Sequence, residues 1–335
     1  MPKILIVAPN WIGDALLAQP LFARLLQKFP GASIDALAPG WTAAVLRRMP
    51  EIADVIDAPF DHGELKLAER WRLARALRGQ AYDQAFVLPN TLKSALIPFF
   101  AGIPLRTGFT GELRYGLLNG VHRLDEKALP LMAERYAQLA EEPGSPPARP
   151  LAEVGLRVDQ ANLAAALKRL GLSRAKPVVA FCPGAEYGPA KRWPARYFAE
   201  LATKLAAQDR VVWLFGSGKD TEIGEEIVRL SMGAVVNLCG RTDLASAIDL
   251  LSLAEVVVSN DSGLMHVAAA VGRPVVALYG SSSPDHTPPL SRTHRIVRTG
   301  IDCSPCYARE CPLGHFKCMN ELTPARVLQE IRPVT

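Results

Sequence analysis

The feature that most constrains this chain is an alternation between short apolar runs that end at Pro or Gly and longer amphipathic stretches. In the first half the strand candidates are Lys3–Ala8, Ile34–Ala38, Asp54–Ala58 and Gln84–Leu88, with helical patterns such as Pro20–Phe29 and Leu65–Leu77 between them. In the second half they are Val178–Cys182, Val211–Phe215, Val256–Ser259 and Val275–Tyr279. Strands alternating with helices predict βαβ units on a parallel sheet. The alternation restarts after Glu141–Pro150, a Pro-rich stretch with Gly and Ser that reads as a linker. The expected fold is α/β: two Rossmann-like doubly wound domains facing a cleft, over residues 1–150 and 151–335, with the last helix able to pack back on the first domain.

Composition agrees with two cores. A chain of 335 residues exceeds one ordinary domain, and 49% hydrophobic against 21% charged residues leaves enough apolar material for two. A formal charge of +5 is mild, so it points to anionic small molecules or an anionic membrane surface rather than nucleic acid. The apolar run Ile4–Ala8 is broken by Pro9, Asn10 and Asp14, too soon for a signal peptide or spanning helix. The expectation is a cytoplasmic protein whose six cysteines are reduced.

Doubly wound sheets bind ligands beyond the carboxyl ends of their strands, so the post-strand loops carry the functional argument. The first such loop is Asn10-Trp11-Ile12-Gly13-Asp14. Pro20 suits a helix first turn, which places Asp14 in an irregular segment ahead of it. There Gly13 lets the backbone approach a ligand, and Asp14 is either a helix cap or a general base. After the first strand of the second half comes Pro183-Gly184-Ala185-Glu186-Tyr187-Gly188-Pro189-Ala190-Lys191-Arg192-Trp193. Lys191 there fits a phosphate group or a solvated turn equally well.

The strongest segment runs from Ser259 through Asn260-Asp261-Ser262-Gly263-Leu264-Met265-His266 to Ala270. A strand enters a polar turn and a small-residue helix leaves it, an arrangement that offers backbone N–H groups to phosphate. His266 lies one turn inside; the plain alternative makes Asp261 the N-cap and His266 a satisfied helix residue. Gly216-Ser217-Gly218 lacks the third glycine of a dinucleotide fingerprint, and no Walker lysine motif occurs. A nicotinamide dehydrogenase and a P-loop NTPase are therefore disfavoured.

Taken together, Pro9–Asp14, Pro183–Pro194 and Asn260–Ala270 resemble the heptosyltransferase family of lipopolysaccharide synthesis, in order and spacing along essentially the whole chain. The resemblance implies a glycosyltransferase-B fold, an acceptor-binding first domain, and a second domain that takes ADP-heptose. It implies inverting, metal-independent transfer to the first heptose of the lipopolysaccharide inner core, with no cofactor and with peripheral contact at the cytoplasmic face of the inner membrane. By resemblance Asp14 is the base, Lys191 meets the donor diphosphate, and Gly184, Asp261, Ser262, Gly263 and His266 bind the donor. Asp220 and Thr242 fall where the family contacts ribose and adenine. A phosphorylated, carboxylated glycolipid acceptor asks for basic residues, so Asn90, Lys93, Arg106 and Arg114 join Gly13 as acceptor candidates. Lys66, Arg70, Arg72, Arg75 and Arg78 form either a second basic group or a solvated helix face. The uncharged run Ser94–Leu105 reads as core or as a shallow membrane contact.

Cys303, Cys306, Cys311 and Cys318 form a C-x2-C-x4-C-x6-C series around His315. It reads either as a structural zinc or iron–sulfur site or as a reduced thiol-rich loop. Two alternatives to the transferase reading remain. One keeps the fold with another acceptor or nucleotide sugar; the other is a non-catalytic nucleotide-binding redox or metal sensor.

Overall fold

The computed structural model describes residues 1–60 and 63–331, so the last four residues of the second expected domain lie outside the described residues. The chain divides into two compact units, Met1–Val154 and Gly155–Thr335.

In the first unit the strands are β1 (Lys3–Val7), β2 (Ser33–Pro39), β3 (Asp54–Ala58), β4 (Gln84–Val87), β5 (Leu105–Phe109) and β6 (Gly120–His122). They form one parallel sheet in the order β3-β2-β1-β4-β5-β6. The second unit repeats that order with β7 (Val178–Cys182), β8 (Val211–Leu214), β9 (Val235–Asn237), β10 (Ala254–Asn260), β11 (Val275–Leu278) and β12 (His294–Val297), arranged β12-β11-β10-β7-β8-β9. Every pairing is parallel. The central strands are buried on both faces, as helices on both sides of a sheet require, and they therefore read as continuous apolar runs. Reversal of strand order puts a crevice between β1 and β4 in one unit and between β7 and β10 in the other.

All eight strands read from the sequence form within a residue or two of their expected ends. The four that were not read, β5, β6, β9 and β12, are edge or near-edge strands, and three of them have only three or four residues. Their half-polar sequences carry little hydrophobic signal.

Two further expectations need adjustment, and the core reading of a third, Ser94–Leu105, agrees with its buried residues. Asp14 is not in an irregular segment: it sits in the first turn of a helix over Ile12–Leu17, and a second helix, Gln19–Lys28, follows with Ala18 as its N-cap and Pro20 in its first turn. Pro20 has no N–H to continue the first helix and its ring crowds the preceding turn, so the chain breaks and restarts there. The Glu141–Pro150 stretch is a strap on the first unit rather than a free linker. Glu141 accepts from Arg24 and Lys28, the Gln138 amide donates to the Ser145 carbonyl at 3.0 Å, and Ala148 is buried. Ser94–Leu105 is largely a helix over Leu92–Phe100, with Ala95, Ile97 and Pro98 buried and Phe99 exposed. Among the described residues no helix is long and apolar enough to cross a membrane.

The second core explains why the Lys191 loop is held from behind. Trp193 is fully buried, with its ring 4.7 Å from Phe198, and its indole N–H donates to the Leu322 carbonyl at 2.6 Å. Its backbone N–H donates to Asn260 Oδ1 at 3.1 Å, while the Asn260 amide donates to the Pro183 carbonyl at 2.7 Å. One buried side chain thus ties both ends of the loop after β7 to the end of β10. The last helix, Pro324–Glu330, packs on the helix Ala195–Ala206 and contributes Val327 to the same core.

Candidate functional site

In the first unit an open hollow of about 960 Å³ lies at the β1/β4 crevice. Asn10, Trp11 and Asp14 line it from the loop and helix after β1, Asn90 from the loop after β4, and Glu126, Arg135 and Tyr136 from the segment after β6. Asp14, partly exposed, is the carboxylate nearest the β1 turn, where a helix first turn favours negative charge. Burial raises the Tyr136 phenol well above its ordinary pKa and the Asp14 charge adds to that, so Tyr136 stays a neutral hydrogen-bonding group. Arg135 is fixed by a hydrogen bond from Nε to the Leu129 carbonyl at 3.0 Å and an ion pair with Glu126 at 3.4 Å.

Of the acceptor residues expected from sequence, Asn90 lines this hollow and Gly13 precedes Asp14 in its helix. Lys93 lines a neighbouring hollow of about 440 Å³, which shares Asn10 and Pro89 with the first. Arg70 is there too, buried and stacked 3.8 Å from the Phe60 ring, while Arg72, Arg75 and Arg78 are exposed along the helix. The five-residue basic group therefore divides between a structural arginine and a solvated face.

Arg106 and Arg114 are elsewhere. Arg106 stands near the amino end of β5, where its guanidinium donates to the carbonyls of Leu117 and Ile103, each at 2.6 Å. That end of a parallel sheet is remote from the crevice, and the donors are spent on backbone. Arg114 is buried under the hollow: it donates to the Pro89 carbonyl at 2.9 Å and to Asn90 Oδ1 and the Phe109 carbonyl. All three acceptors line the hollow, so Arg114 shapes it without facing into it. Trp11, Glu126, Arg135 and Tyr136 were not singled out from sequence. An exposed Trp in a post-strand loop was a readable signal; the other three lie over a hundred residues from Asp14 along the chain.

In the second unit the expected residues gather at the β7/β10 crevice. Lys191 ends a single turn over Pro189–Lys191, and its ammonium meets Asp261 Oδ2 at 2.5 Å, both groups being largely buried. Asp261 is not the helix cap. Ser262 takes that position ahead of the helix Gly263–Ala270, and its hydroxyl pairs with that of Ser259 at 3.2 Å instead of with the helix. With no side chain capping the first turn, its N–H groups and the positive helix end are available to a phosphate. His266 is buried behind this turn. Burial pulls its pKa down to about 4, Lys191 acts in the same direction and Asp261 opposes, so the ring is neutral at physiological pH.

Gly184 and Asp220 also come together: a Cβ on Gly184 would stand 2.5 Å from Asp220 Oδ1. The absence of a side chain lets the loop after β7 run against that carboxylate. Asp220 accepts from the Ser217 backbone N–H and hydroxyl, both at 2.8 Å, which fixes the turn after β8. Thr242 lies in the loop after β9, which the Gly240 N–H ties to the Gly216 carbonyl at 3.1 Å.

The four cysteines Cys303, Cys306, Cys311 and Cys318 line one small hollow of about 320 Å³ with His315 and Phe316. Among the described residues no three His, Cys, Asp or Glu side chains are arranged to hold a metal ion. No disulfide joins any of the four.

The model of glycosyltransferase family 9 (heptosyltransferase) matches residues 70–317. The lipopolysaccharide heptosyltransferase 2 of Escherichia coli K12 is 46% identical, with 98% of this chain and 97% of that protein covered. The lipooligosaccharide heptosyltransferase 2 of Haemophilus influenzae is also 46% identical, with 98% of each covered. The solved structure of the E. coli ADP-heptose LPS heptosyltransferase II superimposes with a TM-score of 0.88 at 44% identity, covering 98% of this chain and 97% of that one. Two doubly wound units, each gathering polar side chains at its own switch point, define a glycosyltransferase of the B-fold class. Within that class the chain belongs to glycosyltransferase family 9, the heptosyltransferases.

Proposed function

We propose that the chain transfers heptose from ADP-heptose to the first heptose of the lipopolysaccharide inner core, with inversion at the anomeric carbon. The observation that carries the reading is the Asp14 carboxylate in an open hollow at one switch point, in a chain 46% identical to relatives named heptosyltransferase 2. The first unit takes the acceptor and the second the sugar nucleotide. The acceptor hydroxyl gives its proton to Asp14 as its oxygen attacks the anomeric carbon. The bond from that carbon to the diphosphate breaks, and ADP leaves with the electron pair. Inversion requires base and leaving group on opposite faces of the sugar.

Negative charge develops on the diphosphate. Lys191 and the uncapped turn Ser262–Gly263 supply donors fixed before the reaction begins, which is where electrostatic catalysis gains most. Asp261 holds the Lys191 ammonium in place, and neutral His266 packs the turn without adding a competing charge. Gly184, Asp220 and Thr242 bind the nucleoside end. Asn90 and Lys93 present polar groups to the acceptor, and Trp11 offers an aromatic face for a sugar ring. The acceptor's lipid anchors the reaction at the cytoplasmic face of the inner membrane, which makes the enzyme a peripheral one.

Transfer from ADP-heptose to Kdo2-lipid A and to its mono-heptosylated form, each with EDTA present, tests the reading. Product from the heptosylated acceptor alone is expected. Transfer to the bare acceptor moves the chain to the preceding step, and loss of transfer in EDTA overturns metal independence.

A further inference from the structure

The four-cysteine segment has no part in the reaction just described, yet it lies against the loop that carries Lys191. The Ala190 N–H donates to the Arg309 carbonyl at 3.0 Å, and the Tyr187 hydroxyl donates to the Tyr307 carbonyl at 2.8 Å. The Tyr187 ring has two cationic neighbours: the Arg309 guanidinium and the Lys191 ammonium each stand 5.2 Å from its centroid. At Gly188 the two backbones meet so closely that a Cβ would overlap the Arg309 carbonyl oxygen. Ala190 itself forms part of the wall of the hollow that the four thiols line.

The segment has its own anchors. Ser304 Oγ donates to the Gly280 carbonyl and the Tyr307 N–H to the Ser281 carbonyl, both at 2.6 Å, which fastens it to the end of β11. Cys318 is buried, and the Phe316 N–H donates to Cys311 Sγ at 3.4 Å, which folds the segment onto its thiols. An anchored piece of chain thus presents Arg309 to a loop with little regular structure of its own between Pro183 and Gly188.

Lysine is a point charge on a flexible stem, and most of its benefit to a diphosphate is lost if its backbone wanders. Asp261 fixes the ammonium from one side. The loop that sets the height of the Lys191 backbone is fixed from the other side by residues 303–318.

We propose that the cysteine-rich segment is a brace for the donor site, and that Arg309 is a positioning residue acting on Lys191 through Tyr187, Gly188 and Ala190. The inference rests on the proposed role of Lys191 at the donor diphosphate. It gives a purpose to a motif that the reaction chemistry leaves unused, and it confines the effect to the nucleotide side.

Three variants of the full chain test it: Gly188→Ala, which wedges the two backbones apart, Arg309→Ala, which keeps the carbonyl and removes the guanidinium, and Arg309→Lys. Each is assayed for donor KM, acceptor KM and kcat, and for ADP binding by calorimetry. Gly188→Ala is expected to raise the donor KM and the ADP Kd about tenfold with the acceptor KM within twofold. Arg309→Ala should do the same more weakly, and Arg309→Lys should recover most of the loss because it restores a cation over the ring. Donor KM and ADP Kd unchanged in Arg309→Ala, with only kcat or the thermal midpoint lowered, would overturn the brace, and this holds even if Gly188→Ala does not fold. A wild-type chain that binds ADP but transfers no heptose would instead defeat the proposed function, and the ADP Kd series would still decide the brace.

Discussion

The two switch-point sites differ in how they are built. At the β7/β10 crevice the functional residues come from the loops after β7, β8, β9 and β10, Gly184 to Lys191, Asp220, Thr242 and Asp261 to His266, and Lys191 with Asp261 and Gly184 with Asp220 touch directly. At the β1/β4 crevice the lining is drawn from residue 9 to residue 136, and a buried arginine that never faces the hollow holds part of its wall. The contrast follows from the chemistry each site is proposed to handle. A diphosphate is recognised by backbone N–H groups and one cation, which two post-strand loops supply. A branched glycolipid is met by a surface, and a surface is assembled from several loops.

If that division holds, substitutions in one unit should spare the binding step of the other. The largest effect is expected at Asp14. Replacement by Asn removes the base and should slow transfer by about 10²–10⁴, the usual worth of general base catalysis, while ADP affinity is unchanged. Next is Lys191→Ala, expected to lower kcat/KM for the donor by about 10²–10³ with the acceptor KM unaffected. It should also reduce thermal stability, because Asp261 would be left buried without its partner. Both are read by steady-state kinetics paired with ADP calorimetry.

Arg114→Ala sharpens the comparison from the other side. Two carbonyls that line the hollow and the Asn90 amide oxygen would lose their donor, a cost on the order of 1–3 kcal/mol in unfolding free energy. In protein that remains folded the acceptor KM should rise several-fold and the donor KM should not. Arg106→Gln is the counter-case: acceptor KM should stay within twofold of wild type, since its guanidinium serves the opposite end of the sheet.

A pH effect isolates the second unit. The unfolded His266 takes up a proton near pH 6.5, whereas the folded ring does so only near 4. Between those values the unfolded state binds more protons, so stability falls as pH drops from about 6.5 to about 4 and levels off below. Thermal midpoints should show this slope for wild type, and His266→Asn should flatten it.

The same contrast governs how much the sequence disclosed. Buried central strands appear as apolar runs, and Pro and Gly mark their ends, so both sheets were legible apart from their short polar edges. Lys191, Asp261 and Gly184 were legible because each lies in a loop directly after a strand that reads as an apolar run, although Lys191 and Asp261, which meet there, are 70 residues apart. The first-unit hollow was legible only at Asp14 and Asn90. Arg106 and Arg114 look alike as basic residues in loops, and only the carbonyls around them reveal that both serve the backbone. Glu126 and Arg135 reach the hollow through the topology of β6 and the helix Met132–Gln138, which no local pattern encodes.

The most direct test of the division of labour is to measure ADP affinity and single-turnover heptose transfer on the same preparation of Asp14→Asn. ADP binding equal to wild type with transfer reduced at least a hundredfold is the expected result. Transfer near the wild-type rate, or an ADP affinity that falls together with transfer, would contradict it.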